Sequence, residues 1–278
     1  MAEFLLFYRS GNGSAATATM TANSLHISVE HEPFSLPSNW QIMAASAHHR
    51  KVMFYSREHR SAEVGHLEFQ DFGSGISGVV YVTDKPFPPG SFSEWSHITW
   101  LTQENTLFYD LASGAGALKF DPPKKIFPPG SFSTGWSRIV FGWWTANSFF
   151  YNIGNGAAAV KFDPPAKIYP PGSFSPGWTS IAAGPQSDNK DTLLFYNADQ
   201  RSGALARLDF NGNINTIRSW GPGSFSFWTH VVGTSKGWLF YDHASGKAEV
   251  AALNNNGLAT TPVQLSPGWT HISRVGKP

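Results

Sequence analysis

The chain contains no cysteine. That excludes disulfides, thiolate nucleophiles and cysteine-based zinc sites. Charged side chains are scarce, at 14% of 278 residues, where an average domain carries roughly a quarter. The net charge is +1, so no strong field draws in nucleic acid or an anionic membrane, and neither is expected as a partner. No apolar run approaches the roughly eighteen residues of a membrane helix. The opening MAEFLLFYRSGNG has an apolar stretch but neither a basic leader nor a cleavage site, so the chain reads as cytoplasmic, with non-classical export left open. The sequon from Asn12 to Ser14 carries no weight without a secretory signal. No segment has a helical period of useful length.

What the chain does have is aromatic residues and repetition. Hydrophobic residues make up 41% and aromatics 15%, with 11 tryptophans, so a sizeable core can be built. An L-F-Y string recurs, with small variations, with its tyrosines at Tyr8, Tyr55, Tyr109, Tyr151, Tyr196 and Tyr241. A second string, W-[ST]-x-I with small variations, recurs at Trp40, Trp95, Trp136, Trp178, Trp228 and Trp269. The third and fourth copies, from Phe120 and from Phe162, agree at 15 of 20 positions.

Each unit reads as four short strands. The first two are an aromatic run and, after a turn of the D-x-x-S-G type, a second apolar run. The third contains prolines (KIFPPGSFS) and suits an edge. The fourth (WSRIVFG, WTHISRV) is apolar and proline-free, as an inner strand should be. Six such units predict an all-β fold: one six-bladed β-propeller over residues 1–278, with four-stranded antiparallel blades. The chain begins on an L-F-Y strand and ends after a W-T-H-I-S strand. The expectation is that the terminal strands pair within one blade and close the ring.

With the L-F-Y-D…P-P-G-S-F-S-x-G-W-[ST]-x-I repeat in view, the chain resembles, in architecture, the propeller lectins of fungi and invertebrates, tachylectin-like and fucose-binding among them. The resemblance implies a carbohydrate-binding, multivalent protein with low-affinity sugar sites at blade seams or on one face. Its partners would be glycans of glycoproteins, glycolipids or polysaccharides, and its state a monomer or small homo-oligomer.

The candidate ligand-binding residues follow from the repeat. The tryptophans Trp95, Trp136, Trp178, Trp228 and Trp269 are flat plates able to stack on a sugar ring or to fill the wedge between blades. Two residues on lie His97, Arg138, His230 and His271, with Ile42 and Ser180 at the same position in the other units. On a strand these would share a face with their tryptophan. Trp100, Trp143 and Trp144 stand outside the repeat and are expected in loops on one face; Trp220 and Trp238 are the other two outside it. Asp110, Asn152, Asn197 and Asp242 follow L-F-Y, where an Asx side chain caps a turn and less readily holds a ligand. The phenylalanine of P-P-G-S-F-S is expected in the core.

Catalytic signals are weak, and no catalytic residue, metal or cofactor is expected. Gly73, Gly75 and Gly78 spell G-x-G-x-x-G ahead of a strand-like VVYVTD, which a dinucleotide site does not allow. His48, His49, His59 and His66 are irregularly spaced and read as loop residues. Besides a lectin, two classes fit: a protein-interaction scaffold or toxin-associated module, and an enzyme using His97, His230 and His271 around a central channel. Fold alone does not choose between them.

Overall fold

The computed structural model describes residues 4–21, 24–29, 36, 38–46, 49–71, 77–101, 105–118, 125–160, 167–186, 188–254 and 257–276. The chain folds as a six-bladed β-propeller. Blade 1 holds β1 (Phe4–Tyr8), β2 (Ala15–Met20) and β3 (Leu25–Val29). Blade 2 holds β4 (Ile42–Ala45), β5 (Lys51–Ser56), β6 (Ser61–Asp71) and β7 (Ser77–Phe87). Blade 3 holds β8 (His97–Trp100), β9 (Thr106–Tyr109), β10 (Gly116–Leu118) and β11 (Lys125–Phe127). Blade 4 holds β12 (Arg138–Phe141), β13 (Ser148–Tyr151), β14 (Ala158–Val160) and β15 (Lys167–Tyr169). Blade 5 holds β16 (Ser180–Ala183), β17 (Asp191–Asn197), β18 (Ser202–Leu208) and β19 (Ile214–Trp220). Blade 6 holds β20 (His230–Thr234), β21 (Gly237–Tyr241), β22 (Lys247–Asn254) and β23 (Gly257–Gln264). The last strand, β24 (His271–Val275), returns to blade 1 as its innermost strand.

Closure is as the sequence predicts. β24 pairs antiparallel with β1, from Phe4 opposite Val275 to Tyr8 opposite His271. The six inner strands β24, β4, β8, β12, β16 and β20 contact one another in an unbroken ring. The prolines of the third strands keep to the outer edge, as Pro86 in β7 and Pro262 in β23 show. An edge tolerates the missing N–H that a central ladder does not.

The L-F-Y strands are apolar on both faces because each blade is sandwiched between two neighbours. Side chains alternate across a strand. Leu5 and Phe7 therefore join Leu239 and Tyr241 at the seam with blade 6. Leu6 and Tyr8 join Val52 and Phe54 at the seam with blade 2. The core is thus divided into six clusters, one at each seam. The F-D-P-P stretches at 120–123 and 162–165 lie outside the described residues, as do Gly73, Gly75 and His48. Gly78 lies in β7, a strand, which fits no dinucleotide site.

The D-x-x-S-G turns locate the segment that leads into the next blade. Gly114 and Gly156 adopt φ of 67° and 70°, and their carbonyls receive the backbone N–H groups of Phe132 and Phe174 at 2.9 and 3.1 Å. A Cβ at either glycine would lie within 2.1 Å of the carbonyl oxygen of Phe132 or Phe174. The backbone approach therefore demands glycine twice over.

Candidate functional site

The repeat tyrosines and tryptophans form one device. The Tyr55 hydroxyl donates to the Ser93 carbonyl at 2.8 Å and accepts the Trp95 backbone N–H at 3.1 Å. Tyr109 does the same with Ser133 and Trp136, and Tyr151 with Ser175 and Trp178. Tyr196 serves Ser226 and Trp228, and Tyr241 serves Ser266 and Trp269. The tyrosine of each blade thereby fixes the entry to the next. Burial raises the pKa of these phenols, to about 12 at Tyr8, so they stay protonated and can donate.

The tryptophans pack inward, not outward. Trp95, Trp136, Trp228 and Trp269 are buried, and Trp178 is half-buried. Their rings lie against the phenylalanine of their own blade's second strand, at centroid distances of 5.7 Å for Trp95–Phe108 and 6.0 Å for Trp228–Phe240. The expected pairing of each tryptophan with the residue two places on is corrected here. In each case the strand begins only at that second residue, so the two side chains do not share a strand face.

The polar residues at that position cross the seam to the next blade. His97 Nε2 lies 3.1 Å from the Ser137 carbonyl oxygen. Arg138 Nε donates to the Thr179 carbonyl at 2.7 Å. His230 Nε2 lies 3.0 Å from the Thr270 carbonyl, and His271 Nε2 lies 3.0 Å from that of Gln41. Burial lowers the pKa of all three histidines, outweighing the backbone hydrogen bond that raises it. They act as neutral cross-blade staples, not as a set converging on the hub.

Two seams lack such a residue, because the position holds Ile42 and Ser180. There, tryptophans from outside the repeat substitute. Trp100, the last residue of β8 and buried, donates its indole N–H across the blade 2–3 seam to the Ala44 carbonyl at 3.0 Å. Trp238, fully buried in β21, donates across the blade 5–6 seam to the Ala182 carbonyl at 3.1 Å. The placement of Trp100 in a loop is thus corrected. Trp143 is half-buried beneath the Arg274 guanidinium, whose carbon is 3.2 Å from the ring centroid. Trp144 is 46% exposed. The turn holding both is fixed by buried Asp191, which accepts the backbone N–H groups of Trp144 at 3.0 Å and Thr145 at 2.8 Å.

The Asx residues cap turns. Asp110 accepts the N–H groups of Ala112 and Ser113 and the Ser113 hydroxyl. Burial alone would raise its pKa, but these bonds and that from Ser96 hold it below the ordinary carboxylate value. Asp242 does likewise with Ala244 and Ser245, and the Ser245 hydroxyl is the main cause of its lowered pKa. Asn152 accepts from Gly154 and Asn155, and Asn197 from Gln200.

Two clefts open where these parts meet, and sequence reading missed both as wholes. The first, at the blade 2–3 seam, has a volume of about 560 Å³. Trp95 and Phe108 line it with Phe92, Ile126, Phe127 and Pro128, and Glu94, Asp110 and Ser113 supply polar groups. The second, at the blade 3–4 seam, has about 450 Å³ and the equivalent residues Trp136, Phe150, Phe132, Ile168, Tyr169 and Pro170, with Thr134, Asn152 and Asn155. Ile126 and Ile168 are 68% and 67% exposed on the outer strands. The sequence signal was available: an apolar residue pointing to solvent at the same place in two K-I-[FY] edge strands. A third space, of about 330 Å³, is the hub channel, where side chains such as Met43, Phe141, Ile181 and Ile272 surround Thr99, Ser273 and Arg274.

No protein-family model matches the sequence, and no curated protein matches it. Among solved structures, the chain is similar in fold to a Bacteroides fragilis protein assigned provisionally as a 6-phosphogluconolactonase. That match has TM-score 0.58 and 12% identity, covering 99% of this chain and 98% of the other. A second is the periplasmic gluconolactonase of Pseudomonas aeruginosa, at TM-score 0.55 and 10% identity over 100% of both chains. A streptogramin B lyase follows at TM-score 0.48 and 14% identity, over 96% of this chain and 75% of the other. These likenesses carry the fold alone. The expectation of a carbohydrate-binding lectin is corrected: the two similar propellers with TM-scores above 0.5 are described as lactonases, one of them provisionally, and not as lectins. The geometry agrees: the plates required for stacking are largely buried, and their polar neighbours are spent on staples.

Proposed function

We propose that this is a multivalent protein-interaction propeller, whose seam clefts each receive an apolar side chain of a partner protein. One observation carries the reading: the same cleft is built at two adjacent seams from equivalent residues, with an exposed isoleucine as the outer wall of each. A pocket of a few hundred Å³ lined by aromatic and aliphatic side chains, with a few polar groups at hand, suits a small apolar group with a hydrogen-bonding neighbour. Exposed apolar residues gathered at a rim mark protein contacts more often than a monomer's ordinary surface does. β11 and β15 stand outermost in their sheets, beside each cleft, where an extended segment can lie. Two like sites on one rigid ring favour a partner with repeated anchors, because the second contact forms at high effective concentration.

Of the described residues lining the channel, Arg274 is the one charged side chain, and none is a histidine or carboxylate.

The test is selection of random peptides displayed on phage against the intact protein and against the Ile126→Asp/Ile168→Asp variant. Both substitutions fall on exposed edge positions and spare the fold. The reading expects peptides with a shared apolar anchor, lost in the variant, and tighter binding for tandem than for single copies. Peptides that bind both proteins equally, or no enriched peptides, would overturn it.

A further inference from the structure

The two clefts are copies in their apolar parts and differ in their charged ones. Glu94 in the first corresponds to Thr134 in the second, and Asp110 to Asn152. We propose that Glu94 and Asp110 make the blade 2–3 cleft selective for an apolar anchor with a positive charge beside it, while the blade 3–4 cleft takes a neutral one. The proposal rests on the clefts being binding sites, and it names what each accepts.

The aromatic walls support the assignment. Phe92 lines the first cleft, and a cation near its ring gains from the quadrupole, whereas the Phe127 ring already carries Lys125. Asp110 is ionised at neutral pH, because the turn donors favour its carboxylate. Its negative charge is shared with those donors and not cancelled by them. Lys125 lies over Phe127 at 4.7 Å, and Lys167 over Tyr169 at 5.3 Å. Lys85 also lies over Phe87 of the first cleft, at 5.0 Å, and the Lys167 ammonium donates to Asn213 Oδ1 at 2.6 Å. Lysines thus flank both clefts on their outer side, and what the first has and the second lacks is the pair Glu94 and Asp110. Arg57 is spent partly on the Ser96 carbonyl, and it acts with Arg60 and Glu94 on the nearby Tyr55 hydroxyl. Neither arginine lines the cleft, whereas both carboxylates do. A charge pair about 4 Å apart at a wet surface is worth a factor of about five in affinity.

Benzylammonium and benzyl alcohol make a matched pair of probes, alike in shape and different in charge. Titration of each into the labelled protein, followed by heteronuclear NMR, reports the clefts separately through the amides of Ala117, which lines the first, and Ala159, which lines the second. The expected result is about fivefold tighter binding of benzylammonium than of benzyl alcohol at the first cleft, and no such preference at the second. The double variant Glu94→Thr/Asp110→Asn should erase the preference, and Thr134→Glu/Asn152→Asp should create it at the second cleft. Asparagine already caps the equivalent turn at Asn152, so the exchange at Asp110 keeps the backbone. Binding of both probes at both clefts without preference, or a preference that survives the exchange, overturns the charge assignment and leaves the clefts as sites. Failure of both probes to shift either set of amides overturns the clefts as binding sites altogether.

Discussion

At the scale of single residues, the recurrent tyrosine does more than its burial suggests. Its ring fills a seam, and its hydroxyl bridges a serine carbonyl and the N–H of the following tryptophan. Tyr109→Phe keeps the ring and orphans the Trp136 N–H in a buried place. A buried donor left without a partner costs about 1–3 kcal/mol. Chemical denaturation of Tyr109→Phe should show a loss in that range with an unchanged m-value; stability equal to the parent would mean that water replaces the hydroxyl. Residue-scale reading of the sequence recognised the tyrosines and tryptophans as a repeat but could not say which way the tryptophans faced. The reason is physical. Whether a ring stacks on a ligand or on Phe108 depends on what covers it, and the cover comes from residues far along the chain. The Asx turns were easier, because their partners lie two or three residues away.

At the scale of elements, strand order and edge placement were legible from alternation, proline and turn chemistry. The cross-seam staples were not, since each joins a side chain to a carbonyl forty or more residues away in the chain, and backbone acceptors leave no mark in a sequence. With the structure in hand, their logic is one of substitution. Where the repeat supplies His or Arg, that residue spans the seam; where it supplies Ile42 or Ser180, an indole does. Gly184 belongs to the same arrangement, since a Cβ there would fall 2.0 Å from the Trp238 ring. This substitution is testable by exchange. Trp238→Phe should lose about 1–3 kcal/mol, from the lost bond and from the Ala182 carbonyl left behind. Adding Ser180→His should recover part of that loss, by reaching the Thr229 carbonyl as His97 reaches that of Ser137. Thermal unfolding of the parent, the single variant and the double variant decides it. A double variant no more stable than the single one would show that the seams are not equivalent in this respect.

At the scale of the whole molecule, a ring is as strong as its seams, and three of the six carry a neutral histidine. Burial is the first cause of the lowered pKa at His97, His230 and His271. At His97 the neighbouring guanidinium groups of Arg138 and Arg57 lower it further, and at His230 so do His243 and His271. The unfolded chain therefore takes up protons at these sites before the folded one does. Their contribution to stability is fully present above the unfolded histidine pKa of about 6.5. It declines as pH falls below that point toward the depressed folded values, by at most about 1.4 kcal/mol per pH unit for each differing proton. His66 works in the opposite sense. Its bond to Glu68, ahead of that to Asp84, raises its pKa, so its contribution is present below about 6.5 and fades as pH rises through the folded value. It sits near the surface, where screening keeps such a contribution small. The staples should therefore set the slope. Melting temperatures measured from pH 7.5 to pH 5 should fall for the parent protein and fall less for His97→Gln/His230→Gln/His271→Gln. Glutamine there can still donate to the facing carbonyl but carries no proton equilibrium. A triple variant with the parent's slope would place the acid sensitivity elsewhere and leave the staples as purely mechanical links.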